Sequence, residues 1–278
     1  MKYCDLHVHS NFSDGTFSPK ELLKIASDRG LSAIALTDHN TVDGVQTFLK
    51  ESENFGVEAI AGVEISSDYM GKDLHILALF IDQTKLKAVK EFLDIPIKRK
   101  TESNNLLAKN LLSKGYKIDY NAIKREAAGS INRVHFAKEL IKNGYISSVQ
   151  EGFKTILSEE FGLYVAPIRY SSFEVIKFIK SVGAVPVLAH PLLKLSGEEL
   201  KVFLEQAKEC GLVGIETLYS EYSEEEIALS QSIAKDFSLL QSGGSDFHGE
   251  NKPHIQMGVG KGNLQIPYNI ALNLKSSI

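Results

Sequence analysis

Two imidazoles two residues apart, His7 and His9 in Asp5-Leu6-His7-Val8-His9-Ser10, stand at the end of a short apolar stretch that reads as a strand. Side chains at i and i+2 share one face of a strand, so both rings can reach one cation. A lone His-x-His also occurs on surfaces and in cores with no ligand at all. What strengthens the metal reading is the rest of the chain. Ala33-Ile34-Ala35-Leu36 ends in Thr37-Asp38-His39-Asn40, and the run Val57 to Val63 ends in Glu64. Leu74 to Phe80 carries His75 near its start, Ala184 to Ala189 ends in His190, and Ser238 to Ser242 leads into Gly243-Gly244-Ser245-Asp246-Phe247-His248. With Asp14 in the loop after the first strand, six of the eight histidines and three carboxylates fall at or beside strand ends, which scattered core or surface histidines have no reason to do.

Mixed imidazole and carboxylate ligands suit manganese, iron or zinc better than calcium or magnesium, and the absence of thiolates argues against a structural zinc site. Two such metals about 3.5–4 Å apart can share a hydroxide and stabilise both the attacking and leaving oxygens of a displacement at phosphorus. Phosphate ester hydrolysis is the favoured chemistry, and hydrolysis of an amide or lactone is open on the same metals.

Short apolar runs followed by amphipathic helices must position these groups. Ser18-Pro19-Lys20-Glu21 reads as a capped helix start that stops at Gly30, and Thr41 or Asp43 is expected to open the next helix. Ser171 and Glu174, Ser196 and Glu199, and Ser223 and Glu226 form three further capping boxes. Strands repeatedly followed by helices predict an α/β fold with a parallel sheet, and about seven such units suffice to close a barrel whose C-terminal strand ends converge. From 95 to 166 the alternation is lost. A break at Pro96 and the amphipathic patterns at Leu106, Leu107, Leu111, Leu112, Phe136, Leu140 and Ile141 predict a helical insertion. Residues 1–94 and 167–278 are then the barrel, with the insertion expected to cover the active site.

A chain of 278 residues with 43% hydrophobic content can hold such a barrel with an inserted subdomain. Its formal net charge of -4 gives no global drive toward nucleic acid or anionic membrane, so any polyanion recognition is local and stable duplex binding is not expected. No apolar stretch approaches the roughly 20 residues that span a bilayer, and the start of the chain carries no signal-peptide pattern. Cys4 and Cys210 suggest two reduced thiols rather than a disulfide framework. The cytoplasm is the expected compartment.

The motifs Asp5-Leu6-His7-Val8-His9-Ser10, Thr37-Asp38-His39, Glu64, His75, His190-Pro191 and Gly244-Ser245-Asp246-Phe247-His248, in this order and spacing, resemble the polymerase and histidinol phosphatase family, the PHP domain. The resemblance spans nearly the whole chain. It implies a distorted (β/α)7 barrel with two or three divalent metals at the C-terminal face. One metal would be held by His7, His9, Glu64 and Asp246, a second by Glu64, His75 and His190, and a third by Asp14, His39 and His248.

Asn132-Arg133-Val134-His135-Phe136-Ala137 resembles the Arg-x-His-Phe-Ala motif of a PHP branch that removes the 3'-phosphate of nucleoside 3',5'-bisphosphates or trims short RNA from its 5' end. Members commonly carry Pro or Thr where Val134 stands. The branch implies that Arg133 and His135 hold a substrate phosphate, a role for which the guanidinium fork suits phosphate oxygens. The bland reading is a solvated arginine and a helix-capping histidine. Lys252 is a candidate second phosphate contact, and Asp246 or a histidine such as His190 a candidate for moving protons. The expected partner is a small nucleotide or short oligonucleotide. Histidinol-phosphate phosphatase and a non-catalytic metal-binding module are the alternatives. Glu216 is expected behind the ligands, Tyr219 and Tyr222 either stack on a base or pack at the rim, and His254 is read as a surface histidine.

Overall fold

The structure, a computed structural model, describes residues 2–126, 131–262 and 264–278. Seven strands lie in sequence order in one sheet: β1 (Cys4–Val8), β2 (Ala33–Leu36), β3 (Glu58–Tyr69), β4 (Lys72–Leu79), β5 (Val185–Leu188), β6 (Gly214–Tyr219) and β7 (Leu240–Gly244). Just past β7 the chain returns to β1. The Asp246 N–H donates to His7 O, and the His9 N–H donates to Phe247 O, both at 2.9 Å. The ring is thereby nearly closed, a distorted (β/α)7 barrel. Gly244 permits the closure, because a Cβ there would lie 2.1 Å from the Cβ of His7.

The sheet is not all parallel. β4 pairs antiparallel with both β3 and β5. β3 runs on past Glu64 to Tyr69 and reverses through Met70-Gly71, whose φ values of 53° and 80° are those of a two-residue type I′ hairpin turn. Reversal brings the start of β4, rather than its end, to the ligand-bearing face. That is why His75 lies near the beginning of its strand.

Helices α1 (Pro19–Asp28) and α2 (Val45–Ser52) follow β1 and β2. α1 forms its capping box, Ser18 with Glu21. α2 starts after Gly44 with no side-chain cap, so neither Thr41 nor Asp43 opens it; the Thr41 hydroxyl instead accepts the Asp43 N–H. α3 (Leu86–Ser113) is one helix of 28 residues that continues through Pro96, where the sequence suggests a break. Proline removes one helical hydrogen bond. The segment before it is fixed by Phe92, which stacks on Tyr170 and Phe178 with ring centroids 4.1 and 3.8 Å apart. The segment after it is fixed by Leu107 and Leu111 in a separate core.

α4 (Tyr120–Glu126), α5 (Arg133–Lys142) and α6 (Val149–Lys154) build around that core. The chain divides into two compact units, Met1–Leu93 with Tyr170–Ile278, and Asp94–Arg169. In the first unit, α7 (Ser172–Ser181), α8 (Gly197–Glu209) and α9 (Glu224–Asp236) all form their Ser/Glu capping boxes, and α10 (Tyr268–Lys275) ends the chain.

Two apolar clusters fill the barrel unit. The larger gathers Leu22, Phe48, Ile176, Phe203 and Ile233 from the helices against Ile34, Val63 and Ile76. The smaller joins Leu6, Ala35, Ile60, Leu77 and Val187. By the two-residue period, Ile60 shares a face with Glu64, and Leu77 with His75, so this plug underlies the ligands.

Asp5 ties the ring together. Its fully buried carboxylate accepts the Ser245 N–H at 2.8 Å, the Ser245 hydroxyl at 2.5 Å, the Gly258 N–H at 2.7 Å and the His7 N–H at 3.3 Å. A carboxamide cannot accept on both sides. Asp5→Asn is therefore expected to lower stability by about 2 kcal/mol, read from the denaturant midpoint at constant slope.

Candidate metal centre

Glu64 on β3 is the hub. Its Oε1 lies 2.8 Å from His75 Nδ1 and 3.0 Å from His190 Nε2. Its Oε2 lies 3.2 Å from His7 Nε2, 3.3 Å from His9 Nε2 and 3.0 Å from His39 Nδ1. One buried carboxylate thus faces five imidazoles from four places in the chain. Asp246 is the second hub, its Oδ1 lying 3.2 Å from His9 Nε2, 3.6 Å from His7 Nε2 and 3.4 Å from His248 Nδ1. Asp14 closes the far side, 3.3 Å from His248 Nε2, 3.6 Å from His9 Nδ1 and 3.7 Å from His39 Nε2.

All nine ligand candidates named from the sequence meet here. Their donor atoms overlap in groups, among them His7, His9, Glu64 and Asp246, then His9, Asp14, His39 and His248, then His39, Glu64 and His75. Glu64 belongs to more than one group, as a bridging ligand would.

These residues fit divalent cations. His7 Nε2, both ring nitrogens of His9, and Glu64 Oε2 are buried without a hydrogen-bond partner, although they approach one another closely. Buried polar atoms in native proteins are normally satisfied. A cation among them supplies what no protein group does, and the imidazole and carboxylate donors are those that manganese, iron or zinc prefers.

Electrostatics point the same way. Burial disfavours a charged His7, yet Glu216, Glu64 and Asp246 outweigh it and hold this imidazole well above its ordinary range. Against the same burial, Asp246 and Glu64 push His9 up to about 9, and Glu64 with Asp73 pushes His75 up to about 10. Burial brings His39 down to about 4, with Glu64 opposing. Burial would raise the carboxyl of Glu64, but His7, His75 and His39 hold it well below the usual carboxylate range. Metal ligands bind in their deprotonated form, so a cation entering this cluster displaces protons.

Backbone conformation helps to aim the ligands. His190 and Asp246 take φ values of 30° and 57°, the left-handed region that non-glycine residues rarely adopt, and such residues gather at functional sites. Asp38, beside His39, is engaged by neighbouring loop groups. It accepts the Ser10 N–H at 2.7 Å and the Ser10 and Ser13 hydroxyls at 2.6 and 2.7 Å, which pins the loop that carries Asp14. Its role, like that of Asp5, is invisible in spacing because its partners are backbone and serine groups distant in sequence.

Lys252 lies with Nζ 2.7 Å from Asp246 Oδ2. Tyr219 and Tyr222 are buried, so they pack rather than offer a face to a base; the Tyr222 hydroxyl accepts the Leu192 N–H at 2.8 Å. His254 is exposed, 3.6 Å from Glu221. Arg133 and His135 belong to the helical unit. There the Arg133 guanidinium sits 5.0 Å from the Phe153 ring and 4.5 Å from the Tyr164 ring, and its Nη1 donates to Leu157 O at 3.2 Å. His135 completes the capping box of α5, its Nδ1 3.2 Å from the Asn132 backbone nitrogen and 2.9 Å from Asn132 Oδ1.

The family model described as the PHP domain matches residues 5–165. The chain belongs to the PHP domain family. Within it, the chain is 31% identical over 257 residues to a 5'-3' exoribonuclease of Haemophilus influenzae, covering 89% of this chain and 90% of that one. It is 28% identical to a phosphoribosyl 1,2-cyclic phosphate 1,2-diphosphodiesterase of Eggerthella lenta, covering 90% and 97%. It is 27% identical to a 3',5'-nucleoside bisphosphate phosphatase of Chromobacterium violaceum, covering 89% and 88%. The solved structure of a Bifidobacterium adolescentis protein assigned as a metal-dependent phosphoesterase superposes with a TM-score of 0.70 at 26% identity, covering 99% and 96%. This PHP protein is a metal-dependent phosphoesterase. Among the described residues, no helix is long and apolar enough to cross a membrane.

Proposed function

We propose that this PHP protein hydrolyses phosphate esters of small nucleotides, a nucleoside 3',5'-bisphosphate or the 5' end of a short RNA. The observation that carries the reading is Glu64, a single buried carboxylate shared by overlapping ligand groups, which is what two neighbouring cations need. Cations of this kind, when bound, supply an activated water and neutralise charge on the phosphoryl oxygens. His7, His9, Asp246 and Glu64 would hold one metal, Glu64 with His75 and His190 a second, and Asp14, His39 and His248 a third.

Substrate choice rests on cationic groups beyond the metals. Arg133 is held by two aromatic rings and one carbonyl, a preorganised fork whose remaining donors suit phosphate oxygens. His135 stands on the same first turn of α5, with Nε2 outside the cap. Lys252 is the second phosphate contact, its ammonium anchored at Asp246. Protons pass through Asp246 or His190. The names of the Haemophilus and Chromobacterium relatives support a nucleotide or RNA end, and that of the Eggerthella relative supports a second reading, a cyclic phosphodiester of a phosphorylated ribose. The cytoplasm is the proposed compartment.

The test is phosphate and nucleotide release by manganese-loaded protein from four substrates: adenosine 3',5'-bisphosphate, a 5'-phosphorylated short RNA, phosphoribosyl 1,2-cyclic phosphate and histidinol phosphate. Preferred release from either of the first two supports the proposal. Preference for the cyclic ester moves the assignment to the second reading, and preference for histidinol phosphate overturns both.

A further inference from the structure

β6 supplies none of the nine ligand candidates, yet two of its buried side chains end on three of those residues, two at the side chain and one at the backbone. Glu216 is wholly buried; its Oε1 lies 3.0 Å from His7 Nδ1, and its Oε2 accepts the backbone N–H of His190 at 2.8 Å. Tyr219 donates its hydroxyl to Asp246 Oδ2 at 2.8 Å. Residues 216 and 219 would face opposite sides of a regular strand. The ladder with β7 is irregular here: Glu216 pairs with Ser242 but Leu218 pairs with Gly243, so β6 carries one extra residue between them. Such a bulge resets the alternation and re-aims the side chains that follow.

We infer that β6 is a positioning strand, in which Glu216 holds His7 and His190, and Tyr219 holds Asp246, in the arrangement that binds metal. A carboxylate at Nδ1 of a histidine keeps the proton there and leaves the Nε2 lone pair for a cation. Nε2 of His7 is the atom that faces Glu64 and Asp246. The other oxygen of Glu216 fixes the amide of His190, the residue whose left-handed backbone sends Nε2 to Glu64. Tyr219 and Lys252 together occupy Oδ2 of Asp246, so Oδ1 is the oxygen that turns to His7 and His9.

Glu216 therefore receives two donors, the ring N–H of His7 and the backbone N–H of His190. A carboxylate accepts both, whereas a carboxamide of the same shape accepts one and sets its NH2 against the other. If the NH2 faces His7, the ring proton moves to Nε2 and blocks the ligand atom.

The inference rests on the metal centre proposed above and is independent of which phosphate ester is cleaved. Its test is a manganese titration of chelator-stripped wild type, Glu216→Gln and Tyr219→Phe, without substrate, following free Mn2+ by electron paramagnetic resonance. Glu216→Gln is expected to weaken manganese affinity about 10- to 100-fold, with kcat recovering at saturating manganese. Tyr219→Phe is expected to weaken it less, because Lys252 remains on Asp246. A purely structural role for Glu216 would instead lower the melting temperature of the stripped protein and leave affinity unchanged, and unchanged affinity in a folded Glu216→Gln protein overturns the inference. Should that variant not fold, Tyr219→Phe decides alone, weaker manganese binding supporting the inference and wild-type binding overturning it. Wild type that binds manganese yet cleaves none of the four substrates counts against the proposed function and leaves this titration valid.

Discussion

Glu64→Gln is expected to reduce turnover at least about 1,000-fold and to remove at least one metal equivalent per chain. Both oxygens of Glu64 are engaged, Oε1 toward His75 and His190 and Oε2 toward His7, His9 and His39. A carboxamide offers one oxygen and no charge, so it can serve one of these sides only. Metal-assisted charge stabilisation contributes several kcal/mol, and about 4 kcal/mol corresponds to about three orders of magnitude in rate. Elemental analysis of the purified variant, alongside kcat, checks both halves. Full metal content with near-normal turnover would mean that Glu64 is an acidic spacer and not a bridge.

Arg133→Ala is expected to lower kcat/KM for a nucleoside 3',5'-bisphosphate about 10- to 150-fold, the equivalent of losing about 1.5–3 kcal/mol of charge-assisted hydrogen bonding. Metal content should not change. Arg133 also packs between Phe153 and Tyr164, so truncation can loosen the helical unit as well as remove a phosphate contact. Arg133→Met keeps most of the stem and removes the donors, and it should share the kinetic loss with a smaller change in melting temperature. Equal kcat/KM in wild type and both variants would remove Arg133 from the substrate site and leave it a packing residue.

The cluster of ligand candidates is legible in the sequence because its members obey a simple rule. Strands that close into a ring deliver their ends to one face, so His7, His9, His39, Glu64, His190 and Asp246 could be read together without any contact being visible. His75 satisfied the rule for a different reason. Its strand is reversed by the Met70-Gly71 turn, and a two-residue turn in which methionine takes a positive φ gives little sequence warning. Pro96 lies close to where the second compact unit begins, at Asp94, yet it does not end the helix. A proline is a local signal, and here the stacking of Phe92 on Tyr170 and Phe178 overrides it.

The groups that hold the ligands were harder to read than the ligands themselves. Asp5 and Asp38 look like ordinary acidic residues beside histidines, and only the fold shows that they bind backbone and serine donors far along the chain. Glu216 and Tyr219 face one site only because of a bulge, and a bulge shifts register without altering the apolar pattern that announces the strand. His135 was readable in two ways, and its place in the capping box of α5 realises the local one while Nε2 stays outside the cap.

The most direct test of the account is anomalous diffraction from crystals of the protein loaded with manganese. Peaks on either side of Glu64, each within coordinating distance of one of its oxygens, with His7, His9 and Asp246 around one and His75 and His190 around the other, are the expected result. Fully loaded crystals with no anomalous peak at Glu64 would contradict it.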